Sequence, residues 1–496
     1  MDTMNSEQGR SGIVWRTRSI ILVTAFTLCH MAIMGQTGLG DSESYYWTWS
    51  RHMDLSYYDH PPLVAWLIRL STAVHGDSPF CVRFPSAIIF VGVCWLIYKT
   101  AYEIFGNRET GFWALLLFNV TPLFAFGALQ MVPDIPAAFF WMLFVNIAAK
   151  AVREDRPLLW YPAGLAIGAG LLGKYMLAPL VPSTLLMLGF HPALRHHLKK
   201  PHIYLGGVLG LLAFAPVIAW NIINNFPSFK FHLVDRNVEE HFGWDHSGQF
   251  IGGQGLYMSP LIWLGLCYAA YRAGKSLFAG RDMRFAPLFW LGAPPLVFFY
   301  YIGLWSHTSE PHWAAFGYLT LYIAWGHYLA TRREQWKKFS YAAIGLSAAL
   351  VATFYIHVFY PILPLKPKYD IINELYGWPE VGKAVEEEYA KLPGAQGKFV
   401  MAHHWVMCSQ LDFATLNKLP VYCLNGSTDQ FDFFPDKIPP AGADFIFVAD
   451  NRFEEPPDAF YLFDRAEVAK ELTISRGGQP VRQFVLYRVY GYHGQK

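Results

Sequence analysis

Residues 1–361 alternate long apolar stretches with short polar connectors, and residues 362–496 do not. A helix that crosses a bilayer needs roughly 20 mostly apolar residues. Eleven stretches come near that length, around residues 19–38, 84–105, 110–129, 135–152, 158–173, 175–190, 203–221, 251–270, 285–305, 312–330 and 339–360. The fifth and sixth are short and meet at Gly173-Lys174, so one long or broken segment is the alternative there. Past residue 361 the elements shorten: a helix near Trp378 to Lys391, strand-like KFVMAHHW, helix-like CSQLDFATL, short strands VYCL and DFIFVAD, and a closing FVLYRVYGY. That succession predicts a small α/β domain. The expected fold class is a polytopic α-helical membrane protein with about 11 transmembrane helices in residues 1–361, followed by a C-terminal soluble α/β domain in residues 362–496.

Charge follows the same division. Of the 76 Asp, Glu, Lys and Arg residues, 44 lie in residues 1–361 and 32 in the much shorter remainder. Only the second part therefore approaches the roughly 25% charge of soluble domains. With 53% hydrophobic residues and a net charge of +2, disorder, collagen, a coiled coil and a basic nucleic-acid-binding protein are excluded. Lys and Arg of short loops stay on the cytoplasmic side. If the N-terminus is inside, the inner segments hold 19 of them and the outer ones 6, namely Arg51, Arg69, Arg83, Lys174, Lys230 and Arg236. The C-terminal domain then lies outside. The first apolar stretch ends in Gly-Gln-Thr-Gly-Leu-Gly without a small-x-small cleavage pattern, so it is expected to be a span and not a removable signal. Six scattered cysteines form no metal or disulfide framework; Cys408 and Cys423 either pair or stay as thiols.

Two outer loops are large. The first, residues 39–83, contains GDSESYYWTWSRHMDLSYYDHPPLVAWLIRL, in which Pro61-Pro62 can open a helix with Leu63, Trp66, Leu67 and Leu70 on one face. This reads as a helix lying in the membrane interface. It also places Asp41 and Glu43 at the mouth of the first span, while Asp134 sits at the outer end of the fourth. Ionisable groups at such a surface are costly unless paired or functional. These three carboxylates either take a proton from an acceptor hydroxyl or hold a divalent cation against a phosphate; the bland alternative is that Asp41 and Asp134 only cap helices. The nearby cations are His60, Arg83 and Lys174. His60 precedes a proline, which holds its backbone extended, and Lys174 interrupts the apolar GLLGKYML. An anionic phosphate would satisfy both, whereas snorkelling is the competing reading for Arg83. Tyr57 and Tyr58 stand beside His60, and the turn SHTSEPHW offers further polar groups, Glu310 and His312 among them. Glu240, His241, Asp245 and His246 in the second loop, residues 222–250, read as solvated polar residues without metal-ligand spacing. The C-terminal domain shows no Gly-rich phosphate loop, and its expected role is a lid or acceptor platform, or plain structural support.

The run ESYYWTWSRHMDLSYYDHPPLVAW, the later MVPDIPAAFFWMLF, GLLGKY, the EPHW turn and the GWPEV of the tail together resemble the bacterial glycosyltransferase family 39 group. These are GT-C-fold membrane enzymes related to protein O-mannosyltransferases and to the aminoarabinose transferase ArnT. The resemblance covers the first 330 residues well and the tail loosely. It implies a sugar carried on a polyprenyl phosphate and delivered, on the outer face of a bacterial inner membrane, to a lipid, glycan or protein hydroxyl. In the relatives the first outer loop carries an Asp-Glu pair; the matching positions here are Ser42 and Glu43, with Asp41 one residue early, and Asp134 matches the second acid. His60 stands where ArnT-like relatives have Lys-Pro-Pro. The resemblance thus implies catalytic roles for Asp41, Glu43 and Asp134, donor-phosphate or lipid contacts for His60, Arg83, Lys174, Tyr57 and Tyr58, inversion at the anomeric carbon, no nucleotide cofactor, and a metal ion, if one is used, on the three acids. A multi-span transporter or lipid flippase is the alternative, although the acids lie at one outer face and not at mid-membrane.

Overall fold

The computed structural model describes residues 2–235, 242–435 and 438–496; Arg236, Glu240 and His241 lie outside the described residues. Internal contacts divide the chain into two units, one of residues 1–31, 60–63 and 86–352, the other of residues 32–59, 64–85 and 353–496. The boundary expected at residue 361 is therefore incomplete, because most of the first outer loop groups with the C-terminal domain.

The larger unit is helical. Among the described residues six helices are long and apolar enough to cross a membrane: Gly12–Ile33, Pro79–Phe105, Asp134–Arg153, Pro201–Ile223, Met283–Trp305 and Glu334–Phe359. Trp244–Met258 and Pro260–Phe278 make a seventh if counted together, bent by 99°. Eleven full-length spans are not seen, because several apolar stretches are interrupted. The stretch 110–129 stops at Asn119 and restarts at Pro122, and 251–270 breaks at Ser259, whose φ of 65° precedes Pro260. In both cases the proline forbids the helical hydrogen bond and displaces its predecessor. The stretches 158–173 and 175–190 resolve into Trp160–Leu171 and Leu180–Phe190, parted by Lys174 in extended conformation, and 312–330 shortens to Ala315–Thr331.

Close glycine packing holds the helix that leads to Lys174. A Cβ on Gly164 would fall 1.8 Å from the Gly206 carbonyl oxygen, and one on Gly168 2.2 Å from that of Gly210. Helices Trp160–Leu171 and Pro201–Ile223 thus touch backbone to backbone, the small-residue contact that replaces hydrophobic drive in a lipid environment. Trp141, Tyr318, Tyr322 and Phe118 are fully buried in the core of this unit.

The smaller unit carries one five-stranded sheet with strands β1 Lys398–Ala402, β2 Val421–Cys423, β3 Asp444–Asp450, β4 Tyr461–Arg476 and β5 Gln479–Gln495. Their order is β2-β1-β3-β5-β4, with β1 parallel to β2 and β3, and β5 antiparallel to β3 and β4. Helices Trp378–Lys391 and Trp405–Ala414 match the expected ones; the long β4–β5 hairpin replaces the single closing strand. The loop helix Asp41–Arg51 packs on Trp405–Ala414, with Trp47 against Phe413 at 5.0 Å and Thr48 Oγ1 donating to Asp412 Oδ2 at 2.8 Å. Those contacts are why the loop belongs with the tail. Pro61-Pro62 do precede a helix, Leu63–His75, whose Val64, Ala65 and Ile68 are buried while Leu70 and Val74 are 67% and 69% exposed. That apolar outer face fits an interfacial position. Cys408 and Cys423 are free buried thiols.

Candidate active site

In the helical unit, Asp134 is the first residue of helix Asp134–Arg153, behind Pro133. A carboxylate there meets the positive end of the helix dipole. Lys174 sits in the extended break described above and is 4% exposed. Its Nζ lies 2.8 Å from both Asp134 oxygens and 3.3 Å from His312 Nε2. An ammonium only donates, so Nε2 accepts and a neutral His312 ring carries its proton on Nδ1. All three Lys174 donors are therefore engaged, and a phosphate reaching Lys174 has to displace one of them. His312 belongs to the turn Pro311–Ala314, anchored by Gln254 Nε2 donating to the Pro311 carbonyl at 2.7 Å. The Asp134 and His312 side chains stay 30% and 29% exposed above the buried lysine. His60 is close enough for its charge to act on Asp134, and its ring lies 6.3 Å from that of His232, a neighbour no sequence motif marks. Glu310 is exposed two residues before His312.

In the smaller unit the expected residues are arranged differently. Glu43 is 1% exposed; its Oε2 accepts from the Gly40 backbone N–H at 3.0 Å, capping helix Asp41–Arg51, and from Arg83 Nη2 at 2.6 Å. Arg83 spends its remaining donors on Glu43 Oε1 and on Met34, Thr37 and Gly38. With all five N–H groups used and 3% exposure, Arg83 has no donor left for a phosphate, which corrects both the donor-binding and the snorkelling expectations. Glu43 is buried with it. Tyr57 is 0% exposed, stacks on Trp49 at 4.6 Å and donates to the Trp49 carbonyl at 3.0 Å. Tyr58 is buried against Phe433, with its backbone N–H on Gln430 Oε1 at 2.7 Å. Both tyrosines build the unit and present no lipid-facing surface.

Asp41 remains partly open, its side chain 12% exposed. Arg452 Nη1 donates to its Oδ2 at 2.6 Å and Gln410 Nε2 to its Oδ1 at 3.0 Å. Arg452 also holds Asp450 at 3.0 Å. The Asp41 backbone N–H faces Glu374 Oε1 at 3.4 Å, and burial together with the Asp41 charge pushes the Glu374 carboxyl up to about 8, with Arg452 opposing. Arg452, Gln410 and Glu374 lie hundreds of residues from Asp41, in segments without motifs, so nothing local in the sequence marks them.

Each of the three expected acids thus has a cation of its own: Asp41 has Arg452, Glu43 has Arg83, Asp134 has Lys174. A divalent ion on these acids would have to compete with those cations for the carboxylate oxygens. Among the described residues, Asp155, His196 and His197 have ligand atoms within 4.8 Å of one another. Trp160 Nε1 donates to His197 Nδ1 at 3.2 Å, however, which puts the ring proton on Nε2 and removes the lone pair facing Asp155. Asp155 instead accepts from His196 Nε2 at 2.7 Å.

Residues 59–220 match the family described as dolichyl-phosphate-mannose-protein mannosyltransferase. Lipid A galacturonosyltransferase RgtD of Rhizobium johnstonii is 24% identical over 381 residues, 73% of this chain and 76% of that protein. The undecaprenyl phosphate-α-4-amino-4-deoxy-L-arabinose arabinosyl transferase 2 of Proteus mirabilis is 24% identical over 275 residues, 51% of this chain and 47% of that protein, so the match spans about half its length. The crystal structure of ArnT from Cupriavidus metallidurans bound to undecaprenyl phosphate superposes with a TM-score of 0.64 over 94% of this chain and 97% of that one, at 14% identity; the apo form gives 0.63. The shared fold and the matched sequence define a multi-pass membrane glycosyltransferase of the GT-C class. Within that class the similarity to the mannosyltransferase family model lies in residues 59–220, in line with the family 39 resemblance read from the sequence.

Proposed function

We propose that the protein transfers a sugar from a polyprenyl-phosphate donor to a lipid acceptor at the outer face of a bacterial inner membrane, with the N-terminus cytoplasmic and the C-terminal unit outside. The supporting relatives are named for lipid A galacturonosyl transfer and for undecaprenyl phosphate-linked aminoarabinose transfer. The observation that carries the residue assignment is the open Asp134–Lys174–His312 constellation.

In this reading the acceptor hydroxyl oxygen bonds to the anomeric carbon while the bond from that carbon to the phosphate oxygen breaks. The bonding pair leaves with the polyprenyl phosphate, and the hydroxyl proton goes to Asp134. Lys174 keeps Asp134 ionised and aimed, and His312 shares the ammonium. His60 supplies positive charge toward the departing phosphate; such a fixed cation in a water-poor cavity contributes on the order of ~3 kcal/mol. Attack and departure on opposite faces invert the anomeric centre. The step needs no nucleotide, and none of its residues is asked to hold a metal.

Asp41 is the second candidate for the base, because Arg452 and Gln410 orient a carboxylate that keeps some exposure. Reconstituted transfer from undecaprenyl-phosphate sugar separates the two. Asp134→Asn is expected to abolish turnover while donor binding persists, and full activity in that variant assigns the proton to Asp41. Chelation with EDTA is expected to leave the rate unchanged. Reporter fusions are expected to place the C-terminus outside; an inward C-terminus sinks the proposal.

A further inference from the structure

Between helices Pro260–Phe278 and Ala315–Thr331 and the turn Met283–Phe285, the helical unit carries an open cavity of ≈ 1000 Å³ that the transfer reaction does not use. Arg272, Lys275, Arg281, Arg284 and Arg332 line it, and among the described residues Asp282 is the one acidic side chain in its wall. Asp282 is already taken, with Arg284 Nε and Nη2 donating to it at 2.9 and 2.8 Å. Two of the other cations rest on aromatic surfaces. The Arg272 guanidinium lies over Tyr268 and Tyr328 at 5.6 and 5.5 Å and donates to Tyr268 Oη at 2.7 Å, and Lys275 Nζ sits over Tyr271 at 5.7 Å. Two buried polar atoms at this wall, Tyr328 Oη and His327 Nδ1, have no hydrogen-bond partner; Tyr328 is 8% exposed.

Excess Lys and Arg in short loops is the ordinary signature of a cytoplasmic face, but loop cations of that kind point into water. Here they surround a concavity, with Arg272, Lys275 and Arg284 standing over rings. Clustered cations without counterions repel, and a phosphate ester relieves that repulsion by accepting several charge-assisted hydrogen bonds. The source of the phosphate follows from the surroundings. Tyr271 in the cavity wall and Phe278 on the same helix are 58% and 61% exposed on a helix that is part of an apolar membrane segment, where acyl chains would lie.

We propose that this basic cavity binds the phosphate of an anionic phospholipid headgroup, with the lipid tails against the outer surface of helix Pro260–Phe278. The inference depends on the chain being a multi-pass membrane protein and not on the sugar-transfer assignment.

The test uses the purified full-length protein in micelles and measures thermal unfolding together with lipid retention by native mass spectrometry. Phosphatidylglycerol, phosphatidylcholine and inorganic phosphate are the three probes. Phosphatidylglycerol is expected to raise the unfolding midpoint and to stay bound. The Arg272→Gln/Lys275→Gln/Arg332→Gln variant is expected to lose about 100-fold in affinity, at about fivefold per cation near the membrane surface. Lys199→Gln/Lys200→Gln, which removes charge from another loop, is expected to bind as the parent does. Should the triple variant fold poorly, the exposed single changes Lys275→Gln and Arg332→Gln are each expected to lose about fivefold. Equal binding of phosphatidylcholine, or unchanged retention in the cavity variants, overturns the proposal. An equal midpoint shift from inorganic phosphate without lipid overturns the lipid assignment. Loss of sugar transfer with retained phosphatidylglycerol binding, as in Asp134→Asn, leaves the cavity assignment intact.

Discussion

Asp134 and Glu43 both stand in the first turn of a helix and both face a single strong cation, yet one pair is open and the other sealed. The Asp134 side chain keeps 30% exposure above a buried Lys174, with His312 sharing the ammonium. Glu43 and Arg83 are 1% and 3% exposed, and every donor of the arginine ends on protein. An ion pair contributes chemistry when a substrate can reach it, and conformational specificity when nothing can. In the proposed reading a carboxylate–cation pair therefore serves the reaction in one unit and anchors a loop in the other.

The largest way to break this contrast is at the open pair. Lys174→Met is expected to lower the transfer rate by about 10²–10⁴-fold, the range for losing an aligned acid–base group, with the unfolding midpoint shifted less than in the sealed-pair variant. Glu43→Gln should do the reverse. It leaves Arg83 buried without its counterion, and breaking one partner of a buried pair costs about 3–5 kcal/mol, so expression and melting temperature fall first and activity follows them. If Glu43→Gln keeps its melting temperature and loses only turnover, Glu43 acts chemically and the contrast fails.

A third prediction concerns pH. Burial and the neighbouring Asp41 charge raise Glu374 to about 8, and burial raises Asp412 to about 7 against the pull of Thr48 and Arg51. An acid with a folded-state pKa above its unfolded value stabilises while protonated. Its contribution is complete below the unfolded value and fades as pH climbs toward the folded one. The smaller unit should accordingly melt several degrees lower at pH 8 than at pH 5, and Glu374→Gln should flatten that slope. The smallest effect is expected at Tyr57→Phe, about 1 kcal/mol for one buried hydrogen bond, with the rate constant for transfer unchanged in a kinetic assay.

Much of the architecture was legible because bilayer-length apolar runs and the drop in charge at the tail are one-dimensional signals. Helix Trp378–Lys391 and the DFIFVAD strand could be read from periodicity in the same way. Span number was not, since Pro122 and Pro260 break stretches whose hydropathy is continuous. At the site, Asp134, Lys174 and His312 stood out as polar residues in apolar or turn surroundings, and the structure joins them. Arg83 looked equally exceptional, but its role depends on carbonyls at Met34 and Gly38 that only folding brings within reach. Arg452 and Gln410, which grip Asp41 from more than 360 positions away, carry no pattern at all.

Thr48 finds Asp412 364 positions further along the chain. At ribosomal speeds of roughly 5–20 residues per second, about 20–70 s separate their synthesis. Throughout that interval the tryptophan-rich segment around Trp47 and Trp49 has emerged without the surface that later covers it. Biogenesis must shelter that early segment until the last hundred or so residues arrive, and truncation near the carboxy-terminus would strand it permanently.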